Sequence, residues 1–188
     1  MLAKQQAAEK EYHVTLFARH IKDTYHQSNV TVVCGDAANP DDLREAVKGQ
    51  DVVYSAISGG QLPDIAKNLV TVMPECGVSR LIFMGAVGIY NEIPASIGSQ
   101  YNVDHEPPQV PNRKAVDIIE ASELNYTIMR PGFLRNGAAD DYVLTVKGEP
   151  AKGYITTLPS VMKLATRLIE DETLYSRESV SVTQDMTK

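Results

Sequence analysis

The feature that most constrains this chain is an alternation, repeated along most of its length, of short apolar β-branched runs with stretches of helical spacing. The runs are HVTLFA (13–18), VTVVC (30–34), DVVYSAI (51–57), RLIFMG (80–85) and YTIMR (126–130). Val, Ile, Thr and aromatic residues dominate them, as a pleated surface favours. VTVVC and RLIFM are apolar nearly throughout, which marks strands covered on both faces. Between them, ANPDDLREAVKG has the layout of a helix: Asn39 as N-cap, Pro40 at the first helical position, Asp41 and Asp42 at the positive end and Gly49 at its close. Gln61–Cys76 carries Ile65, Leu69 and Val72 on one helical face and ends at Gly77. Pro111–Glu123 turns Ala115, Val116 and Ile119 inward, and Ser160 caps a helix reaching Glu170 with Val161, Leu164, Ala165 and Leu168 as its stripe. Leu2–Lys10 is rich in helix formers, and Tyr142–Val146 and Ser179–Thr183 read as further strands. The class is α/β, a doubly wound, mostly parallel sheet, in one domain over residues 1–188.

Composition narrows the function. At 188 residues, 43% hydrophobic and 22% charged, the chain is long and apolar enough for one sizeable core. Its net charge of −6 leaves no basic surplus to displace counterions, so no nucleic-acid partner is expected. No apolar run approaches the roughly 18 residues of a membrane span, and the N-terminus lacks a secretory plan, so no membrane partner and a cytoplasmic location are expected. Cys34 and Cys76 form no CxxC pair and read as reduced thiols. His13, His20, His26 and His105 are scattered, and no metal site is expected. Ala86–Glu106 is a long loop of the kind that is functional or mobile.

In such sheets ligands bind beyond the carboxyl ends of the strands. Those ends read Ala18-Arg19, Gly35-Asp36, Ser55-Ala56-Ile57-Ser58, Met84-Gly85-Ala86 and Arg130-Pro131-Gly132-Phe133. Together with HVTLFAR, VTVVCGDAANPDDLREAVKGQDVVYSAIS, RLIFMGAVGIY and IIEASELNYTIMRPGFL, the series resembles the NmrA-like branch of the atypical short-chain dehydrogenase/reductases. The resemblance runs from Tyr12 to Phe133. It implies a Rossmann-like NAD(P)-binding domain, with residues 134–188 as a C-terminal, substrate-side extension. It also implies roles. Arg19 would meet the 2′-phosphate of NADP, since a guanidinium forks phosphate oxygens where an acid would instead accept the 2′-hydroxyl of NAD. Asp36 would meet the adenine amino group, with Ala37 beside it. Ala56, Ile57 and Ser58 would line the ribose and phosphate side. Gly85 would lie on the cofactor side of the fourth run, and Pro131, Gly132 and Phe133 would pass the nicotinamide amide. The cofactor implied is NADP(H) rather than NAD. The function implied is NADPH-dependent reduction of a small carbonyl or quinone; the alternative is a non-catalytic NADP sensor or regulatory protein. A homodimer is left open.

The chain departs from the family pattern twice. It has no Tyr-x-x-x-Lys: Tyr101 is followed four residues on by His105, and the family helix begins here with Pro108 and Asn112. Without the lysine that lowers a tyrosine pKa, ordinary short-chain proton donation does not transfer. Tyr90 is a conceivable acid, although a loop tyrosine also serves packing. The second departure is the pyrophosphate cradle. Gly85-Ala-Val-Gly88 is a lone GxxG, and no GxxGxxG occurs in the 188 residues. The chain thus reads as lacking the family's first strand and glycine loop, and NADPH binding is expected to be impaired. That strand is central in the order 3-2-1-4-5, so two interior edges would be left unpaired, forfeiting about ten ladder bonds of about 1 kcal/mol each. Three outcomes are open: the chain is a shortened form of a longer protein, another segment such as the C-terminal strand or a second subunit fills the gap, or the flanking strands pair directly.

Overall fold

A computed structural model of the chain describes residues 12–21 and 28–188. The helix read over Leu2–Lys10 lies outside the described residues. The strands are β1 (Val14–Ala18), β2 (Val30–Cys34), β3 (Val52–Ser55), β4 (Arg80–Met84), β5 (Asn125–Pro131), β6 (Phe133–Arg135), β7 (Val143–Val146), β8 (Ile155–Thr157) and β9 (Glu178–Thr183). The described α-helices are α1 (Pro40–Val47), α2 (Leu62–Glu75), α3 (Val110–Glu120) and α4 (Leu158–Glu170).

The main sheet has the order β3-β4-β5-β9-β7. Its first three pairings are parallel, through Val52↔Arg80, Arg80↔Asn125 and Thr127↔Glu178, and β7 returns antiparallel on β9 through Val146↔Val180. Alternate residues of the central strands feed opposite faces, as the period of two requires. Leu81, Phe83 and Ile128 pack with α2 and α3, through Leu69, Met73, Val116 and Ile119. Ile82 and Met129 pack with α4, through Val161, Leu164 and Leu168. This is the expected mixed α/β architecture, helices on both faces of a mostly parallel sheet.

Among the described residues no ladder joins β1 to β3, the place where a gap was expected. β1 and β2 form a separate parallel pair, from Val14↔Val30 to Ala18↔Cys34. Among the described residues β1 pairs only with β2 and β3 only with β4, so the flanking strands do not pair directly. The C-terminal strand does not fill the break either. β9 lies between β5 and β7, because its Val180 and Val182 need the apolar surface of Ile82, Met129 and α4.

One local reading is corrected. The cap of α4 is Thr157, not Ser160: Thr157 Oγ1 accepts from the Ser160 backbone N–H at 3.2 Å, and Ser160 is buried in the first turn. Pro159 explains the shift, since it has no N–H to leave unpaired and so suits a first turn. The loop of residues 86–106, which the structure does not test for function, is packed in place. Val87 and Ile93 are buried with Ala151, and Asn102 bonds both the N–H and the carbonyl of Ile93, at 3.0 and 2.9 Å. Gly88, at φ 93°, lies so close to the Tyr101 carbonyl that a Cβ would stand 2.5 Å from it.

Candidate functional site

The residues just past β1, β2 and β3 line a cavity of about 350 Å³ that spans the break between the β1–β2 pair and the main sheet. Arg19, Asp36, Ala37, Ile57 and Ser58, singled out by their place at strand ends, all line it. The Arg19 side chain is exposed and makes no hydrogen bond or ion pair with another described residue. Asp36 starts a tight turn: its Oδ1 accepts from the Ala38 N–H at 3.0 Å, and its own N–H donates to Asp42 Oδ2 at 2.9 Å. The second carboxylate oxygen of Asp36 has no partner among the described residues. The turn needs Gly35, because a Cβ there would stand 2.7 Å from the Phe17 ring and 2.9 Å from Asp42 Cβ. Asn68 on α2 donates to the Ala37 carbonyl at 3.0 Å and fixes the turn against the core. A free guanidinium and a free carboxylate oxygen on one cavity can hold an anion and a hydrogen-bond donor of the same ligand.

The other singled-out residues lie elsewhere on the same edge. Ala56 is exposed and is not part of the cavity lining. Gly85 is buried, its N–H donating to the Met129 carbonyl at 2.7 Å, and Pro131 accepts from the Val87 N–H at 2.9 Å. These bonds carry the β4–β5 pairing past the end of β4. Gly132 is pressed on the Tyr154 backbone, where a Cβ would stand 2.2 Å from the carbonyl. Its N–H donates to Thr156 Oγ1 at 2.7 Å, and the Phe133 N–H to the Tyr154 carbonyl at 2.8 Å. The Phe133 side chain is left 54% exposed.

Tyr90, the candidate acid, is not among the cavity's lining residues. Its hydroxyl donates to Glu120 Oε1 at 2.7 Å and lies 3.1 Å from Ser179 Oγ. Arg113 and Lys147 sit 4.6 Å from its ring centre and Arg130 sits 5.0 Å away. Burial pushes the Tyr90 phenol well above its ordinary value; the Ser179 bond partly offsets this and Glu120 adds to it. This tyrosine is tied into a network of side chains from α3, β5, β9 and Lys147, just past the end of β7.

Sequence reasoning missed two features. One is the buried ion pair of Arg130 with Glu92, which latches the loop to β5. The other is a cluster of Tyr101, Phe133 and Tyr154, with Tyr101 5.0 Å from Phe133 and 4.7 Å from Tyr154. The β-prone run Tyr154–Thr157 was the available signal for the second, since β8 brings Tyr154 to Phe133.

A family model described as NAD(P)H-binding matches residues 1–172. A curated relative from Bacillus subtilis (strain 168), the uncharacterized sugar epimerase YhfK, is 30% identical over 128 residues, which is 63% of this chain and 56% of that protein. The match therefore spans little more than half the length of that relative. A solved Rossmann-fold NAD(P)-binding family protein from Shigella flexneri is 33% identical, with a TM-score of 0.81 over 98% of this chain and 87% of that one. A short-chain dehydrogenases/reductase from Veillonella parvula DSM 2008, solved in complex with NADP, has a TM-score of 0.87 over 99% of this chain and 89% of that one. At 24% identity this is a likeness of fold.

Proposed function

The chain belongs to the NAD(P)H-binding family, and from that premise we propose that it is an NADP(H)-binding oxidoreductase of the NmrA-like, atypical short-chain type, acting on a small carbonyl or quinone. The observation that carries this reading is that one cavity gathers Arg19, Asp36, Ala37, Ile57 and Ser58 just past the ends of β1, β2 and β3. These residues fit the adenosine end of the cofactor. The Arg19 guanidinium, without a partner among the described residues, would take the 2′-phosphate, the second Asp36 oxygen would accept from the adenine amino group, and the segment Ile57–Ser58 would border the ribose. Pro131, Gly132 and Phe133, farther along the edge, would border the nicotinamide, which when bound supplies the hydride. Residues 134–188 would form the acceptor side.

Calorimetric titration with NADPH and NADH tests the cofactor assignment. Arg19→Ala should weaken NADPH binding by about tenfold to a hundredfold, the worth of a hydrogen bond to a charged group. NADH binding should hardly change. Equal weakening of both, or of neither, would sink the NADP reading. Since the 188 residues hold no GxxGxxG turn, affinity for NADPH is expected to be weaker than low-micromolar. Tighter binding would mean that other groups hold the pyrophosphate.

A second reading, a non-catalytic NADP sensor, is favoured by one observation: Tyr90 is committed to Glu120 and Ser179 and has no lysine partner at catalytic spacing. NADPH oxidation over a quinone panel separates the two. Binding without turnover would establish the sensor.

A further inference from the structure

We infer that Asn136 is a site of spontaneous covalent modification: its side-chain amide is converted to an aspartyl or isoaspartyl carboxylate, and the isoaspartyl form releases the link between β6 and α4. Asn136-Gly137 is the only Asn-Gly pair in the 188 residues. The reaction requires the backbone nitrogen after an asparagine to reach that asparagine's side-chain carbonyl carbon. Glycine, with no Cβ, hinders the approach least. Asn136 is exposed and lies outside the described strands and helices. Among the described residues its side chain has no partner, and the Gly137 N–H makes no hydrogen bond. Other asparagines are held. Asn102 bonds both backbone groups of Ile93, Asn68 and Asn125 donate to the carbonyls of Ala37 and Glu172, each at 3.0 Å, and Asn91 accepts from the Asp104 N–H at 3.2 Å. Asn39 precedes a proline, which has no N–H to lose.

The reaction needs only water. The Gly137 nitrogen attacks Asn136 Cγ and gives up its proton. The bond from Cγ to the side-chain nitrogen breaks, ammonia leaves, and a cyclic imide remains. Water then opens the ring. Opening at the side-chain carbonyl gives an aspartyl residue. Opening at the main-chain carbonyl gives an isoaspartyl residue, whose main chain runs through the former side chain and is longer by one methylene. That methylene has nowhere to go. Residues 136 and 137 bridge two attachments to one residue: Arg135 pairs with Thr157 in the β6–β8 ladder, and the Ala138 carbonyl accepts from Thr157 Oγ1 at 2.7 Å. Gly137, between them, lies against the same residue, where a Cβ would stand 2.5 Å from Thr157 Cγ2. A longer link fits only if one attachment lets go, and close-packed groups leave no slack to absorb it.

Incubation of the chain at mildly alkaline pH, followed by peptide mass mapping and isoaspartyl methyl-transfer labelling, tests this. Conversion at Asn136 should outrun conversion at the other asparagines. It should proceed within about tenfold of its rate in the urea-unfolded chain, since an unprotected loop needs little opening. Asn136→Gln, which keeps an exposed amide, should remove the label. In hydrogen exchange the isoaspartyl fraction should exchange its β6 amides about threefold or more faster than fresh protein. Asn136→Asp, which adds the charge without the methylene, should leave them unchanged. A folded-state rate about a hundredfold or more below the unfolded one would overturn the modification site. Conversion with β6 exchange unchanged, or exchange equally fast in Asn136→Asp, would overturn the release.

Discussion

Arg130 is fully buried, and what keeps a charge in that position is Glu92, itself only 6% exposed. The guanidinium also reaches the carbonyls of Thr145 at 3.3 Å and Ser179 at 3.4 Å. Glu92 in turn accepts from the Tyr90 N–H at 2.9 Å, while its carbonyl accepts from Ala151. Removing one partner strands the other, so Glu92→Gln should cost about 3–5 kcal/mol in urea unfolding. Glu92→Gln combined with Arg130→Met should cost less than the sum of the two, because no lone charge remains. At alkaline pH a different residue governs. Burial raises the Tyr54 phenol from 10.0 to about 12. The folded state therefore holds that proton more tightly than the unfolded chain. The stabilisation is complete below pH 10 and is lost as pH rises toward 12. Tyr54→Phe should flatten stability over that window in pH-dependent unfolding; an unchanged slope would refute the assignment. Residues at strand exits, such as Arg19 and Asp36, were legible because a strand end is a local property. Which of Tyr90, Tyr101 and Tyr154 faces a ligand edge was not, because that depends on contacts made far along the chain.

At the scale of elements, the five long apolar runs and their helices were legible from period and caps alone. β6 and β8 were not, because three residues carry no usable alternation; their pairing is forced instead by Gly132 lying against Tyr154. The start of α4 shows the same limit. A cap depends on which hydroxyl meets an unpaired N–H, and Thr157 and Ser160 both offered one. Thr157 Oγ1 accepts from the Ser160 N–H and also donates to the Ala138 carbonyl at 2.7 Å, so it anchors the segment after β6 as well as the helix. Thr157→Ala should therefore destabilise by about 1–2 kcal/mol in denaturant unfolding, the upper part of the range for a lost cap. Thr157→Ser, which keeps the oxygen, should recover most of that.

At the scale of the whole molecule, the consequence of the broken sheet is unequal stability. Strands β4, β5 and β9 are paired on both sides and buried under helices, whereas the β1–β2 pair has no ladder to the main sheet among the described residues. It is held by Phe17 packed on the core, by the Asn68 bond to the Ala37 carbonyl and, through α1, by buried Leu43 and Val47; the half-exposed Arg44–Glu75 pair contributes little. Amides of Val14–Ala18 and Val30–Cys34 should therefore exchange hydrogen faster than those of β4 and β5. The cavity spans that break, so a ligand in it touches both pieces and opposes their separation. NADPH at about a hundred times its Kd adds about 2.7 kcal/mol against any opening that destroys the site, which corresponds to about a hundredfold slower exchange in β1 and β2. The antiparallel edge strand β7 can fray without disturbing the cavity, so its exchange should stay unchanged. Exchange followed by mass spectrometry, with and without NADPH, decides this. Slowing confined to β1 and β2, and absent in Arg19→Ala, would make the cofactor the element that joins the two sheets. Slowing that is equal in β7, or that survives the loss of Arg19, would place the ligand elsewhere.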